Sequence, residues 1–208
     1  MRLYDFSHSS AAYRLRIALN LKGIPYEAIP VDLRTGEDRG AAYRARNPQG
    51  LVPALEDNGR LFTQSIALCE YLEETHPEPP LLPKDPAGRA RVRALAAIVA
   101  CDIHPLDTIR VLDQLTERFG ADEAGRLGWY CHWIAEGLSA FERLLADSPD
   151  TGEFCHGDQP TLADVFLVPQ VYNARRFRCD LTPYPETLRV TARCHALSPF
   201  QTAHPDSD

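Results

Sequence analysis

The sequence of 208 residues has no long hydrophobic run: its longest apolar stretch, residues 94–101, has 8 residues. A helix needs about 20 apolar residues to cross a bilayer, so no membrane-spanning segment and no membrane partner are expected. The first eight residues contain one basic side chain and an acid at position 5, but no apolar stretch long enough for a secretory signal. We therefore expect a cytoplasmic protein.

Basic residues are also few, with 22 Lys and Arg against 29 Asp and Glu and a net charge of −7. Such a surface repels a phosphate backbone unless its cations are gathered on one face, so no nucleic-acid partner is expected. The 17 prolines and 12 glycines are scattered rather than repeated, and 44% of residues are hydrophobic. This composition is typical of a globular protein and excludes collagen and disorder.

The six cysteines form no C-x-x-C pair, and neighbouring cysteines lie 15 to 32 residues apart. Neither zinc-ligand spacing nor a dithiol redox motif is present, so no metal is expected. We expect all of them to be small buried side chains in a reducing compartment. They are Cys69, Cys101, Cys131, Cys155, Cys179 and Cys194.

Residues 1–80 alternate strand-like and helix-like segments in the order β-α-β-α-β-β-α, which predicts a compact α/β domain. The parallel connection between the first two strands requires a right-handed crossover, so helices cover one face of a mixed sheet. Asn58-Gly59 is a strong hairpin signal between the last two strands. The predicted strands are 3–6, 26–33, 54–56 and 61–63. The predicted helices are one capped by Ser9 or Ser10 and stopped by Gly23, a weaker one over 37–46, and one capped by Ser65 that runs to about Thr75.

Five prolines within residues 77–86 predict a linker between domains, because proline suits neither a helix interior nor a central strand. Residues 87–208 read as an all-helical domain, with one long helix broken at Pro105. Residues 122–145 carry apolar side chains at three- and four-residue steps, which predicts a core-facing stripe: Leu127, Cys131, Ile134, Leu138, Phe141 and Leu145. Thr161 and Asp164 have the spacing of a capping box and should begin a buried helix.

Four motifs in register, residues 9–19, 47–55, 63–67 and 161–164, make nearly the whole chain resemble the zeta-class glutathione transferases. The resemblance implies an N-terminal thioredoxin-like domain that binds glutathione, followed by an all-helical domain. Residues 102–106 and 173–177 are similar to those of the maleylpyruvate isomerases of this class, which stand beside the maleylacetoacetate isomerases. Ala11 departs from the signature, which usually has cysteine there.

The resemblance implies a glutathione-dependent isomerase in aromatic-compound catabolism, which converts the cis double bond of a maleyl keto acid to trans. A thiolate adds to the alkene, the new single bond rotates, and the thiolate leaves. Ser9, with Ser10 beside it, lies at a predicted helix N-terminus, where a hydroxyl donor and backbone N–H groups favour a thiolate. The alternative is that both serines only cap the helix. The family also implies a homodimer.

The remaining site residues follow from the same resemblance. Val52, before a cis Pro53, is expected to pair through its backbone with glutathione, and Gln64 and Ser65 are expected to bind the γ-glutamyl carboxylate. Further expected glutathione contacts are Gln49, His104 and Asp102, the last from a partner subunit.

Arg110 and Arg176 are expected to bind substrate carboxylates, because arginine pairs with them in bidentate fashion. His8 stands where the maleylpyruvate enzymes often have a third arginine, and it binds an anion only when protonated. The alternative for both arginines is an ordinary solvated surface charge.

Two other functions compete with isomerisation. One is a general transferase or reductive dehalogenase of the same family, which has no use for two cations beside the thiolate. The other is a non-catalytic glutathione-binding relative, which has no need of Ser9. Maleylpyruvate and maleylacetoacetate each present a carboxylate and a cis enone, so the sequence does not separate them.

Overall fold

The computed structural model describes residues 1–207, which form two compact units. One unit comprises residues 1–81 together with 196–207, and the other comprises residues 82–195. The C-terminal residues, which the sequence places in the helical domain, thus group with the N-terminal unit.

The N-terminal unit contains a four-stranded mixed sheet in the order β2-β1-β3-β4, and its predicted order of elements is confirmed. Strand β1 is parallel to β2 and antiparallel to β3, and β3 is antiparallel to β4. Asn58 and Gly59 have φ of 48° and 75°, as a tight hairpin between β3 and β4 requires. The elements are β1 (Arg2–Asp5), α1 (Ser10–Leu21), β2 (Glu27–Pro30), α2 (Ala41–Arg44), β3 (Ala54–Asp57), β4 (Arg60–Thr63) and α3 (Ser65–Thr75).

Two predicted segments of this unit are shorter than expected. The strand predicted over 26–33 is limited to β2. The helix predicted over 37–46 is wrong as one element: it divides into a 3-10 turn, Glu37–Arg39, and α2. The division falls at Gly40, whose φ of −68° and ψ of 152° are extended rather than helical.

A short C-terminal helix, α9 (Ser198–Thr202), packs against α1 and explains why the chain end groups with this unit. The Arg16 Nε donates a hydrogen bond to the Ala203 carbonyl at 2.9 Å, and the Asn20 amide donates to the Pro199 carbonyl at 3.1 Å. Arg16 also contacts Asp5 at 2.7 Å, which opposes the rise in the Asp5 carboxyl pKa that burial causes. Side chains of α1 therefore hold residues distant in sequence.

The proline-rich segment is tied to the N-terminal unit by a buried lysine. Lys22 Nζ donates to the carboxylate of Glu73 at 2.8 Å and to the carbonyls of His76 and Pro79 at 2.7 and 3.0 Å. The same Glu73 oxygen accepts from the Leu81 N–H at 3.0 Å. The first part of this segment is therefore fixed by buried polar contacts, which the sequence does not indicate.

The second unit is helical, and its first long helix ends before Pro105, as predicted. This helix, α4 (Pro86–Ala97), continues as a π-helical segment, Ile98–Ile103, which stops two residues before the proline. The five α-helices of this unit are α4 (Pro86–Ala97), α5 (Ile109–Phe119), α6 (Glu123–Ala146), α7 (Leu162–Arg176) and α8 (Pro185–His195).

The capping box at the start of α7 is present and fully buried. The Asp164 carboxylate accepts hydrogen bonds from the Thr161 N–H at 2.8 Å and from its hydroxyl at 2.9 Å. It also accepts from the N–H of Cys155 at 2.9 Å, so one carboxylate joins the helix to the preceding loop. Burial raises the pKa of Asp164, while these hydrogen bonds oppose the rise.

The prediction for the cysteines is wrong for three of the six. Cys101 is exposed, and Cys131 in α6 is bonded to Cys179, in the turn after α7, with 5.3 Å between their Cα atoms. Leu127 of the predicted stripe is 42% exposed, whereas four other members are buried: Ile134, Leu138, Phe141 and Leu145. The buried residues of α6 begin at Tyr130, so the predicted stripe faces the core only from that point onward.

No helix within residues 1–207 is long and apolar enough to cross a membrane. The same part of the chain contains no group of three or more His, Cys, Asp or Glu residues arranged to hold a metal ion.

Candidate functional site

Ser9 forms the N-cap of α1, and its geometry permits both roles considered for it. Its backbone is extended, and its Oγ accepts a hydrogen bond from the Ala12 N–H at 3.2 Å. Accepting that bond leaves the hydroxyl proton available for another acceptor. Ser10, the first helical residue, is buried. The Ser9 proton and the N-terminus of α1 can therefore act together on an anion.

The Val52 peptide is a second candidate contact point in the same unit. The Val52–Pro53 bond is cis, as the resemblance implies. Within residues 1–207 neither the N–H nor the C=O of Val52 has a hydrogen-bond partner, although Val52 is 9% exposed. An extended peptide can satisfy both groups in the manner of an added strand.

The start of α3 brings three of the predicted glutathione ligands together. Gln64 is the residue before α3 and has φ of 72°. Its side-chain Nε2 donates a hydrogen bond to the side-chain Oε1 of Gln49 at 2.7 Å. Both glutamine side chains are exposed. Ser65 is buried, and its Oγ accepts from the Arg14 Nη1 at 3.1 Å. The first N–H groups of α3 and this cation favour a carboxylate here.

Arg14 is the residue of this region that the sequence reasoning missed. It is the largest fully buried side chain within residues 1–207, at 1% exposed, and it donates a hydrogen bond to Ser65. The signal was available: Arg14 follows Ala11 by three residues and precedes Ala18 by four, on the apolar face of α1. A cation on a core-facing position indicates a buried polar contact.

His8 lies in the N-terminal unit beside the C-terminal segment. Its Nε2 is 3.7 Å from the Asp206 carboxylate, its Nδ1 is 3.0 Å from the Ser7 hydroxyl, and its side chain is 36% exposed. A carboxylate already faces this ring, so the structure gives His8 a protein anion rather than an open position.

The other predicted residues lie in the helical unit. Asp102 is exposed and His104 is half-buried, on either side of Ile103 at the end of the π-helical segment. Arg110 is the second residue of α5 and Arg176 the last of α7, and both are exposed. Neither arginine forms an ion pair with a residue of the range 1–207, which leaves two cations for an external anion.

The surroundings of Arg176 are aromatic and partly buried. Its guanidinium lies 5.7 Å from the ring centroid of Phe177, and that ring packs on Tyr130 at 4.2 Å. Burial raises the pKa of the Tyr130 hydroxyl, the negative Asp107 adds to the rise, and the positive Arg176 opposes it. The buried amide of Gln170, in α7, donates to Asp107 at 2.8 Å, which ties the turn before α5 to α7.

A small mixed sheet with a cis-proline before β3, followed by a helical unit, defines the class of fold shared by glutathione transferases. Family models agree: residues 3–80 match the glutathione S-transferase N-terminal domain, and residues 134–197 match the C-terminal domain. The chain belongs to the glutathione S-transferase family, and the predicted fold class is confirmed.

Relatives of high sequence identity indicate the subclass of glutathione transferases that the chain resembles. A maleylpyruvate isomerase from a Ralstonia species is 53% identical over 99% of this chain and 97% of its own. The holo structure of a maleylpyruvate isomerase, described as a bacterial zeta-class glutathione transferase, is 52% identical with a TM-score of 0.98 and covers 100% and 98% of the two chains.

A maleylacetoacetate isomerase of Methylobacterium extorquens, solved with malonate and glutathione bound, is 42% identical with a TM-score of 0.96, over 99% and 96% of the two chains. The zeta-class resemblance is thereby confirmed.

Proposed function

We propose that this protein is a glutathione-dependent cis–trans isomerase that converts a maleyl keto acid to its fumaryl form in the breakdown of aromatic compounds. The proposal is carried by two exposed arginines of the helical unit that have no ion partner within residues 1–207, in a chain that matches zeta-class isomerases along its whole length. A transferase for apolar electrophiles has no use for such cations.

The N-terminal unit would bind glutathione, and the residues present fit the peptide. Val52 offers an N–H and a C=O to its backbone, as a neighbouring strand would. The N-terminus of α3, with Gln64, Gln49 and Ser65, offers amides, a hydroxyl and backbone N–H groups to its γ-glutamyl carboxylate. From the helical unit, Asp102 of a partner subunit and His104 are proposed as further contacts.

Bound glutathione supplies the thiolate nucleophile that adds reversibly to the alkene. Ser9 donates its hydroxyl hydrogen bond to the sulfur, and the N-terminal N–H groups of α1, beginning at Ser10, stabilise the same negative charge. Ala11 contributes no donor, so the thiolate depends on Ser9 and the helix N-terminus.

Arg176 and Arg110 hold the carboxylates of the substrate. Their planar guanidinium groups can form paired hydrogen bonds to a carboxylate, and no acidic side chain among the described residues is paired with them. His8, which already faces Asp206, is a weaker candidate for this role and contributes a positive charge only when protonated.

Relatives carry the names of both maleylpyruvate and maleylacetoacetate isomerases, so the keto acid itself is decided by experiment. Both compounds should be offered to the purified protein with and without glutathione, and the cis and trans isomers followed by their absorbance. We expect conversion only with glutathione. The substrate with the higher kcat/KM is the one that the protein was selected to isomerise.

We also propose that the protein is a homodimer. The assignment is supported by the family and by large apolar side chains exposed on the separate chain, among them Ile109 at 58% and Phe119 at 79% on α5. A partner surface that covers such side chains removes apolar area from water, which stabilises the dimer by about 25 cal/mol of free energy per Å² buried.

A further inference from the structure

The last turn of α7, which carries Arg176, is closed by backbone hydrogen bonds but contains a residue with a strained, positive φ. The N–H of Cys179 donates to the Ala174 carbonyl at 2.9 Å, and the N–H of Arg178 donates to the Arg175 carbonyl at 3.0 Å. These two bonds form a Schellman motif, whose reversing residue takes a positive φ. That residue is Arg178, with φ of 56°, where glycine is usual because it has no Cβ.

Two contacts with α6 hold this turn. The ring of Phe177 packs on the buried ring of Tyr130, and Cys179 is bonded to Cys131, the next residue of α6. Both attachments lie within three residues of Arg176. The positive φ of Arg178 destabilises the turn conformation. The packing of Phe177 on Tyr130 and the Cys131–Cys179 bond, on either side of Arg178, stabilise it.

We propose that the Cys131–Cys179 bond is a thiol-sensitive clamp that positions Arg176 for its anionic substrate, so that the ratio of glutathione to glutathione disulfide tunes substrate affinity. This inference rests on the proposed function, because it takes the role of Arg176 from there. Cys131, Cys179 and Phe177 are positioning residues that act through Arg176.

The chemistry is an exchange with glutathione itself. A glutathione thiolate attacks the Cys131 sulfur, the Cys131–Cys179 bond breaks, and Cys179 leaves as a thiolate that takes up a proton. A second glutathione thiolate attacks the mixed disulfide and releases glutathione disulfide and a Cys131 thiolate, which is then protonated. Two glutathione molecules are oxidised and one protein disulfide is reduced.

The surroundings favour this course. Arg175, Arg176 and Arg178 lie within four residues of Cys179 in the sequence, so this segment carries a local positive charge. Such a charge favours a leaving thiolate and the approach of the anionic peptide. Both cysteines are half-buried rather than enclosed. The three buried free thiols are poor competitors, because burial raises the pKa of Cys69 to about 12 and also raises the pKa of Cys155 and of Cys194.

The test compares the full chain oxidised by glutathione disulfide with the same chain reduced by a phosphine. Thiol counts after denaturation should be four and six, since four cysteines are free and six are present. Malonate binding is then measured by calorimetry with S-methylglutathione, which has no thiol and leaves the bond intact. We expect reduction to weaken malonate binding about 5-fold, at the lower end of the range for coupled sites.

Hydrogen exchange and kinetics give independent measurements. Reduction should accelerate exchange of the Arg178 and Cys179 amides, which report the turn whatever the enzyme acts on. The C131S/C179S variant should raise KM for the keto acid about 5-fold and change kcat less than 2-fold, as expected for the loss of uniform binding. C101S, at the exposed cysteine outside the turn, is the matched control and should behave as wild type.

Arg178 provides a rescue. R178G removes the strain at the positive φ and should return the KM of the C131S/C179S background towards the oxidised value, whereas R178A, which loses the same charge but keeps a Cβ, should not. Equal malonate affinity and equal amide exchange in the oxidised and reduced chains would overturn the clamp, as would six thiols after treatment with glutathione disulfide. A chain that responds to reduction in these ways but isomerises no maleyl keto acid would overturn the proposed function alone.

Discussion

Ser9 carries two tasks at the level of a single hydroxyl, because its oxygen caps α1 and its proton is available to a sulfur. Ser9→Ala should lower kcat about 100-fold, the lower range for removal of one donor to a developing anion. It should leave glutathione affinity nearly unchanged, because the other contacts of the peptide remain. Titration of the ultraviolet absorbance of bound thiolate should show a raised thiol pKa in the variant.

Ser9→Asp separates the two tasks. Aspartate caps a helix as well as serine does, but it cannot donate a hydrogen bond to a thiolate. If Ser9 acts only as a cap, this variant stays active, and Ser9→Ala merely loses about 1 kcal/mol of stability. We expect Ser9→Asp to be as inactive as Ser9→Ala, and an unchanged thiol titration in either would remove the assigned role.

Arg176 and Arg110 are expected to contribute to binding more than to turnover. The substrate carboxylates are present in the ground state and the transition state alike, so Arg176→Ala should raise KM about 10-fold with little change in kcat. Arg110→Ala should act in the same direction, and glutathione affinity should survive in both. Steady-state kinetics over a range of keto acid concentrations measure the separation.

Arg175→Ala is the matched control for Arg176, because it removes the neighbouring exposed cation of the same helical turn. It should leave KM within a factor of about 2. Wild-type kinetics in the Arg110 and Arg176 double alanine variant would refute the assignment and favour a transferase.

Residues whose role depends on a local motif can be predicted from the sequence. Ser9 as a helix cap, the Gln64–Ser65 start of α3 and the Thr161–Asp164 box are each readable within a few residues. Arg14 and Lys22 are different, because their partners Ser65 and Glu73 lie 51 residues away in both cases. Spacing marks Arg14 as core-facing, but it does not reveal which residue is its partner, because such pairs form only when the fold is complete.

Substitutions at the start of α7 should lower the free energy of unfolding more than those at most other helix ends of the helical unit. Asp164→Ala leaves the buried donors of Thr161 and Cys155 without an acceptor and should cost about 3 kcal/mol or more of unfolding free energy. Asp122→Ala removes the exposed cap of α6, where one carboxylate oxygen accepts from the Gly125 N–H, and should cost about 1 kcal/mol. Urea denaturation compares the two, and equal losses would contradict the weight given to burial.

The order of the elements was predictable, while their contacts were less so. The hydrophobic periodicity and turn residues specify β-α-β-α-β-β-α, and Pro105 marks the end of a long helix. The return of α9 to α1 depends on Arg16 and Asn20 reaching carbonyls more than 170 residues away. The Cys131–Cys179 bond likewise joins two segments separated by 48 residues, with no spacing rule to announce it.

The mass of the protein in solution tests the homodimer directly. Sedimentation equilibrium at micromolar concentration should give twice the 23.3 kDa mass of the chain. The exposed apolar side chains of α5 are the surface that we expect the partner to cover. A single species of 23.3 kDa across the concentration range would exclude the dimer.

If glutathione is a regenerated nucleophile acting on a maleyl keto acid, the amount of free glutathione stays constant during turnover. The protein is mixed with maleylpyruvate in large excess over glutathione, and proton NMR follows both compounds to completion. We expect full conversion to the trans isomer with all of the glutathione recovered as free thiol, since the thiolate that adds is later expelled. Turnover that stops when the glutathione is consumed, with a stable thioether as product, would contradict it and identify a transferase.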